Sequence, residues 1–479
     1  MKVYSNIVNG MPVDSGEHFE SINPATLEVL GLIPNSSCEH VDAAVQAAKL
    51  AQPAWAALPD EDRKSLIMKV ADLFANDGEM LAEWITKEQG KPLGGVGPDQ
   101  VPGARFEVYA CEAWTRVPAS LDVGPEVVFE DDTRRDEVHR RPYGVVAAIA
   151  PWNWPLMIAI WQIIPALRMG NTVVLKPSEY TSICTLEMVR LIADLLPPGV
   201  LNTVTGKGDV GAMLVEHVDV DKILFTGSTQ TGIQIAQTSA TRLVPTTLEL
   251  GGNDAALVLP DADPKTIAPS LFWGAFLNSG QTCACVKRLY VPDSMHDQIV
   301  EELRKLAEAL PMGDGMQSST ALGPLQNEMQ YVKVKSLLAD AKVSGAALIE
   351  GFQTSESKGY FIPITIATGL KEGSRLVDEE QFGPVLPVIR YSDLDDAIQR
   401  ANSVRVGLGA SVWTSDPEAA RAVALRLDAG TVWINQHGAV HPMVPFGGIK
   451  SSGWGTEFGI DGLKSVSEIR VVSLRKAAN

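Results

Sequence analysis

A cysteine, a glutamate and an asparagine, each at the edge of a short apolar run, are the residues of this chain best suited to chemistry. Cys283 closes the stretch Asn278-Ser-Gly-Gln-Thr-Cys283. A thiol in a Gly-containing loop just past a helix has the access a nucleophile needs, and a thiolate adds readily to a carbonyl carbon. The same residue also reads as an ordinary core thiol, because free cysteine is among the most buried residue types. Glu249 lies in Thr246-Thr-Leu-Glu-Leu-Gly-Gly-Asn253, near the end of an apolar strand and before a double glycine. Desolvation there would raise its pKa towards the range of a general base, whereas a strand-end salt bridge accounts for it equally well. Asn153 sits in Pro151-Trp-Asn-Trp-Pro155. Its amide can donate to an oxyanion without changing charge; the alternative is a rigid turn packed on its tryptophans. Cys285 follows Cys283 too closely, and with too few neighbouring histidines or cysteines, to suggest zinc, so no metal site is expected.

A second group of residues suits an anionic cofactor. Val173-Val-Leu-Lys-Pro-Ser-Glu179 places Lys176, Pro177, Ser178 and Glu179 just past a strand, where the lysine can meet phosphate or ribose oxygens and the glutamate can accept from ribose hydroxyls. Phe225-Thr-Gly-Ser-Thr-Gln-Thr-Gly232 leaves another strand and opens a helix, so the backbone amides near Gly227 and Ser228 suit a pyrophosphate. Gly206-Lys-Gly-Asp-Val-Gly211 matches G-x-G-x-x-G by letter. It follows the third strand of the unit rather than the first, without a clear ribose-binding acid, and ranks below Gly227-Ser228.

These residues need a scaffold of strands and helices in alternation. Strands are expected at 144–150, 172–175, 201–204, 222–225, 246–250 and 255–259, with helices at 156–169, 181–196, 208–217 and 229–240 between them. That pattern implies an α/β fold with a doubly wound parallel sheet, whose ligands bind at the carboxyl ends of the strands. A second α/β pattern, with helices near 264–277, 295–309 and 328–342 and strands near 288–291, 361–367, 385–390, 408–413 and 431–434, reads as a separate catalytic domain. Earlier, helices are expected near 41–55 and 60–89. Val127–Phe129 and Glu137–His139 flank the charged run 130–136 as a projecting hairpin, whose open edges call for a partner. The expected division is a cofactor domain from 1–122 and 144–250, a catalytic domain from 251–450, and a small β oligomerisation element from 123–143 and 460–479.

Composition bounds the rest. At 479 residues, two or three domains are expected. A formal charge of -18 without a basic stripe argues against nucleic acid. Five scattered cysteines argue against a disulfide framework, and the N-terminus lacks an apolar signal region, so a cytoplasmic protein is expected. The uncharged stretch 144–167 is long enough to span a membrane, yet Pro151, Asn153, Pro155 and Pro165 interrupt it, so a buried strand, turn and helix are expected instead.

Taken together the segments resemble the aldehyde dehydrogenase superfamily over nearly the whole chain. PWNWP at 151–155, KPSE at 176–179, FTGS at 225–228, LELGGN at 248–253, GQTC at 280–283, EEQFGPV at 379–385 and PFGGIKSSG at 445–453 run in the family's order. The resemblance implies Cys283 as nucleophile, Glu249 as general base and Asn153 as oxyanion donor, aided by the backbone N–H of Cys283. It implies Lys176 and Glu179 at the adenosine ribose, Ser228 near the pyrophosphate, and further cofactor contacts from Trp152, Asn153, Pro177, Ser178, Gly227 and Leu250. Glu380 matches a nicotinamide-ribose ligand, and Phe382 a residue beside that ring. The implied cofactor is NAD, with NADP possible. Glu457 matches a proton-relay glutamate, but Gln162 stands where many members carry its lysine partner. The implied aldehyde tunnel comprises Trp154, Met157, Trp161, Thr282, Ala284 and the loop with His437. It is mainly apolar and favours an uncharged aliphatic or aromatic aldehyde over a semialdehyde. The base at Glu249 argues for hydrolysis rather than CoA acylation. The hairpin and the strand 469–474 imply a homodimer or homotetramer.

Overall fold

The computed structural model describes residues 1–96, 100–354, 356 and 358–476. A few positions of the three ranges assigned above, including the last three of 460–479, lie outside these. Val145–Ile149, Thr172–Lys176 and Lys222–Thr226 are buried along their whole length. Such unbroken apolar runs suit a parallel sheet covered on both faces. They form the centre of a six-stranded sheet ordered Gly453–Trp454, Thr246–Glu249, Lys222–Thr226, Val145–Ile149, Thr172–Lys176, Leu201–Thr203. All its pairs are parallel except the first. The strand order reverses at Val145–Ile149, so a crevice opens at its carboxyl end beside Lys222–Thr226.

A second sheet of seven strands runs Ala347–Glu350, Thr365–Thr368, Val385–Tyr391, Val286–Pro292, Asp254–Val258, Gly409–Trp413, Thr431–Ile434, parallel apart from its first pair. The two sheets share a short connection: Thr246–Glu249 ends the first and Asp254–Val258 begins the second. After the second sheet the chain returns, and Gly453–Trp454 pairs antiparallel with Leu248 and Glu249.

A third sheet joins Glu126–Glu130, Arg134–Pro142 and Ser467–Arg475. Its hairpin is longer than the sequence suggested, and the C-terminal strand pairs with it along its whole length, from Ser467 opposite Pro142 to Arg475 opposite Arg134. Val127, Val128, Phe129, Ile469, Val471, Val472 and Leu474 remain exposed on it.

The uncharged stretch resolves into a buried strand, the Pro-rich turn and the helix Pro155–Arg168, whose residues are all buried. Among the described residues no helix is long and apolar enough to cross a membrane. Several elements differ from expectation, two of them near the site. The helix expected at 181–196 ends at Ala193, before Pro197-Pro198, which disfavours helical backbone in the residue ahead of it. The helix Ala104–Ser120 was not anticipated; its Pro118 and β-branched and aromatic residues weaken the local signal, and packing against Asp60–Gln89 and Pro155–Arg168 supplies what propensity does not.

Candidate active site

Cys283 is positioned by an unusual turn. The helix Pro264–Phe276 is followed by Asn278, Ser279 and Gly280 with φ of 54°, 55° and 72°. Successive left-handed residues are costly for side-chain-bearing positions and persist only where the surroundings hold them. Here the holding groups are visible. Asn278 Nδ2 donates to the Asn153 carbonyl (2.8 Å), Ser279 Oγ to the Gly323 carbonyl (2.8 Å), and the fully buried Lys287 Nζ to the Gly280 carbonyl (2.7 Å). Gly280 is required as glycine, since a Cβ would overlap the Gly383 carbonyl. Gln281, also buried, bonds to the Asn278 carbonyl and to the 324–326 segment.

Asn153 lies opposite this turn. One N–H of its side-chain amide donates to the Gln281 carbonyl at 3.0 Å, which fixes the rotamer and leaves the second N–H for another acceptor. Trp154 Nε1 donates to Thr282 Oγ1 at 2.9 Å, a second tie between the PWNWP turn and the cysteine loop. Burial, and then the charges of Glu249, Asp254 and Glu380, push the Cys283 thiol pKa up.

Glu249 ends its strand buried, and neither carboxylate oxygen has a hydrogen-bond partner among the described residues. Burial, followed by the neighbouring Glu457, raises its pKa well above the usual carboxylate range; burial raises that of Glu457 as well. The PFGGIKSSG segment, which carried no residue role in the sequence, packs against this carboxyl. A Cβ on Gly447 would stand 3.4 Å from Glu249 Oε1, and Gly453, at φ 112°, leaves no room for a side chain against the Leu248 carbonyl. Gln162 Nε2 donates to Thr226 Oγ1 (3.1 Å) and to the Ile149 carbonyl (3.3 Å), and Thr226 pairs in register with Glu249.

On the other side of Cys283, Glu380 Oε1 accepts from the Gly252 N–H at 3.1 Å. Burial raises its pKa, while Lys287 and Lys333 oppose the shift. Phe382, with φ 52°, meets the Trp152 ring edge-on at 5.3 Å, and Lys287 Nζ lies 5.2 Å from the Phe382 ring centroid. From there a groove of about 360 Å³ runs along the carboxyl ends of the first sheet. Trp152, Lys176, Ser178, Glu179, Gly227 and Ser228 line it. Lys176 is buried, and among the described residues its ammonium donates to the Pro177 carbonyl at 3.0 Å, leaving N–H groups for a ligand. Ser228 caps the helix Thr229–Ala240 by accepting from the Thr231 N–H. Gly208 and Gly211, from the segment ranked lower in the sequence, form part of the same wall. Leu250 is buried beneath Gly232.

Trp161 packs edge-on against Phe458 at 4.6 Å and tilted against Trp114 at 5.6 Å, with Phe446 stacked on Phe458 at 5.8 Å. The indole N–H groups of Trp114 and Trp161 have no partner among the described residues. Met157 and Ala284 are buried in the same core cluster. His437 is placed differently from its neighbours. Its side chain is fully buried, with Nδ1 2.9 Å from Ser411 Oγ, Nε2 3.3 Å from Asp254 Oδ2, and the ring beside Trp433. Sequence reasoning did not reach Trp114, Phe446, Phe458, Lys287, Asn278 or Gln281, because each acts through a contact distant in sequence. Among the described residues there is no cluster of three or more metal-ligating side chains.

A crevice at a topological switch point, near a half-buried thiol, a buried amide and a buried carboxyl, suits an oxidoreductase built on a dinucleotide-type sheet. The comparisons with known proteins agree. The model of the aldehyde dehydrogenase family matches residues 12–472, and the chain belongs to that family. It is 38% identical to the phenylacetaldehyde dehydrogenase of Pseudomonas fluorescens, over 94% of this chain and 91% of that one. Among solved structures it resembles the NAD+ complex of aldehyde dehydrogenase from Bacillus cereus, with a TM-score of 0.94 at 35% identity over 99% and 97% of the two chains. It also resembles an NADP-dependent enzyme of E. coli, with a TM-score of 0.94 at 33% identity over 98% of each.

Proposed function

We propose that this aldehyde dehydrogenase oxidises a hydrophobic aliphatic or aromatic aldehyde to its carboxylic acid by a hydrolytic route through Cys283. The observation that carries the reading is the Glu249 carboxyl, buried without a hydrogen-bond partner among the described residues, whose charge raises the Cys283 thiol pKa.

Cys283 Sγ adds to the aldehyde carbon as its proton passes to solvent water. The developing oxyanion takes the free N–H of Asn153 together with the backbone N–H of Cys283; one such donor typically supplies about 3 kcal/mol of transition-state stabilisation. Bound NAD(P)+ supplies the hydride acceptor at its nicotinamide. Lys176, Pro177, Ser178 and Glu179 would hold the adenosine side, Trp152, Gly227, Ser228 and Leu250 the middle, and Glu380 and Phe382 the nicotinamide side. Loss of hydride leaves a thioester on Cys283. Glu249 then takes a proton from water, which attacks the thioester carbon, and the Cys283 thiolate departs. The raised pKa of Glu249 suits this task, because a base whose pKa lies nearer the working pH removes the proton more effectively once ionised. Glu457 passes the proton outward.

The aromatic group around Trp161 supports an uncharged substrate, and Trp154, Met157, Thr282 and Ala284 would complete the tunnel. Glu179 in the groove supports NAD over NADP, since a 2′-phosphate would meet its charge. The exposed apolar side chains of the third sheet, within the stretches 126–142 and 467–475, support assembly into a homodimer or homotetramer. The free cysteines support a reducing compartment such as the cytoplasm.

The test is NADH formation across aliphatic, aromatic and semialdehyde substrates, compared by kcat/KM, with and without CoA. A CoA-independent preference for hydrophobic aldehydes is expected. Selective turnover of succinate semialdehyde would overturn the substrate reading, and acyl-CoA as product would overturn the hydrolytic one.

A further inference from the structure

Lys91 and Glu107 form a buried ion pair outside the reacting groups. Lys91 follows Gly90, the left-handed cap (φ 96°) of the helix Asp60–Gln89, and Glu107 lies in the first turn of the helix Ala104–Ser120. Lys91 Nζ is 2.5 Å from Glu107 Oε2, and the two side chains are 1% and 0% exposed. A buried pair of this kind adds little stability over apolar residues of equal volume, so its other contacts indicate its role. Glu107 Oε1 accepts the N–H groups of Leu156 (2.9 Å) and Met157 (3.1 Å), at the start of a helix without a side-chain cap of its own. Lys91 Nζ donates to the main-chain carbonyl of Asn153 at 2.9 Å and stands 3.5 Å from the centroid of the Trp154 ring. One ion pair therefore grips the turn on both sides, at Asn153–Trp154 and at Leu156–Met157. The same Asn153 carbonyl takes the bond from Asn278, inside the left-handed turn that leads to Cys283.

We infer that Lys91 and Glu107 are positioning residues for the oxyanion donor: they hold the Asn153 turn in fixed relation to the Cys283 loop while charge develops on the aldehyde oxygen. The inference rests on the role proposed for Asn153. A misplacement of about 1 Å at a reacting centre can cost on the order of 100-fold in rate, so the rigidity of this turn matters even though neither residue meets the substrate.

A double-mutant cycle tests it, read as the pre-steady-state burst of NADH. Asn153→Ala is expected to slow the burst by roughly 100- to 1000-fold. Lys91→Met is expected to slow it by roughly 10- to 100-fold, with NAD affinity and the alkylation rate of Cys283 by iodoacetamide unchanged. In the Asn153→Ala background Lys91→Met should add less than about 2-fold, because the residue it acts through is gone. Lys91→Met alone leaves Glu107 without a counter-charge. The double variant Lys91→Met/Glu107→Gln removes both charges, keeps an acceptor for the helix N–H groups, and should fold yet remain slow. A wild-type burst in that variant, or the same fold-loss with and without Asn153, would overturn the inference. A wild-type burst in Asn153→Ala alone would remove the oxyanion assignment itself, and the inference with it.

Discussion

Glu107 and Glu249 are both buried carboxylates beside the Asn153–Cys283 pair, and the protein treats them in opposite ways. Glu107 is saturated: one oxygen meets the Lys91 ammonium and the other accepts two backbone N–H groups. Glu249 has no hydrogen-bond partner for either oxygen among the described residues, and the charge of a second carboxyl, Glu457, acts on it. A carboxylate held by an ammonium and two N–H groups is fixed in place, whereas a buried one without partners is costly to keep ionised. The first arrangement fixes geometry. The second stores basicity at the expense of stability, a pattern expected where a group must change its protonation state.

The sharpest way to break the comparison is to neutralise the orphaned carboxyl. If Glu249 is the base proposed for thioester hydrolysis, Glu249→Gln should leave the first NADH burst intact and lower steady-state turnover by roughly 1000-fold. A proportionate loss of burst amplitude in stopped-flow fluorescence would show Glu249 acting earlier. Next in size is the saturated carboxyl. Glu107→Leu strips two N–H groups and one ammonium of their acceptor and should destabilise the fold by about 3 kcal/mol in urea unfolding. Glu249→Gln should act the other way, stabilising by roughly 1 kcal/mol at neutral pH. The sign follows from linkage. A carboxyl whose folded pKa is raised must take up a proton, or stay ionised without partners, above its ordinary value of 4.5. Stability is then lost as pH rises from there towards the folded pKa, and Gln is spared that loss. The gain should therefore shrink towards zero as pH falls to about 4.5. An equal loss of stability in both variants would mean that the two carboxylates are not differently satisfied.

The sequence carried these two sites unequally. Glu249 was legible because its strand, its double glycine and its family motif are contiguous. Glu107 was not, since a glutamate in the first turn of a helix reads as an exposed helix-start acid, and the helix itself went unrecognised until packing placed it. The same holds for the sheets. The central strands announced themselves as unbroken apolar runs. The short return strand Gly453–Trp454 exists only because the chain comes back to Leu248 after the whole second sheet, a contact that no local pattern encodes. His437 illustrates the limit for side chains. A histidine in a Gly-containing loop offered no sign that its ring would be enclosed by Ser411, Asp254 and Trp433.

Smaller effects probe the neighbour of the orphaned carboxyl. Glu457→Gln removes the charge that helps hold the Glu249 pKa up, so the acid limb of the kcat profile should move to lower pH, by roughly one unit or less. A limb that stays in place would mean burial alone sets the titration.

The smallest shift is expected from position 162. Gln162 holds Thr226, the register partner of Glu249, through a neutral amide. Gln162→Lys would introduce an ammonium near the pair, favouring ionised carboxylates and offering a second route for the proton. Its effect is bounded by its surroundings. The position is 1% exposed, so a lysine there gives up much of its own charge to desolvation, and its pull on Glu249 weakens as its pKa falls. A shift of the pH–rate profile by a fraction of a unit, with faster steady-state turnover, is the expected outcome. An unchanged profile would show that water and Glu457 already carry the proton as fast as hydrolysis needs, and that an amide at position 162 imposes no delay on this enzyme.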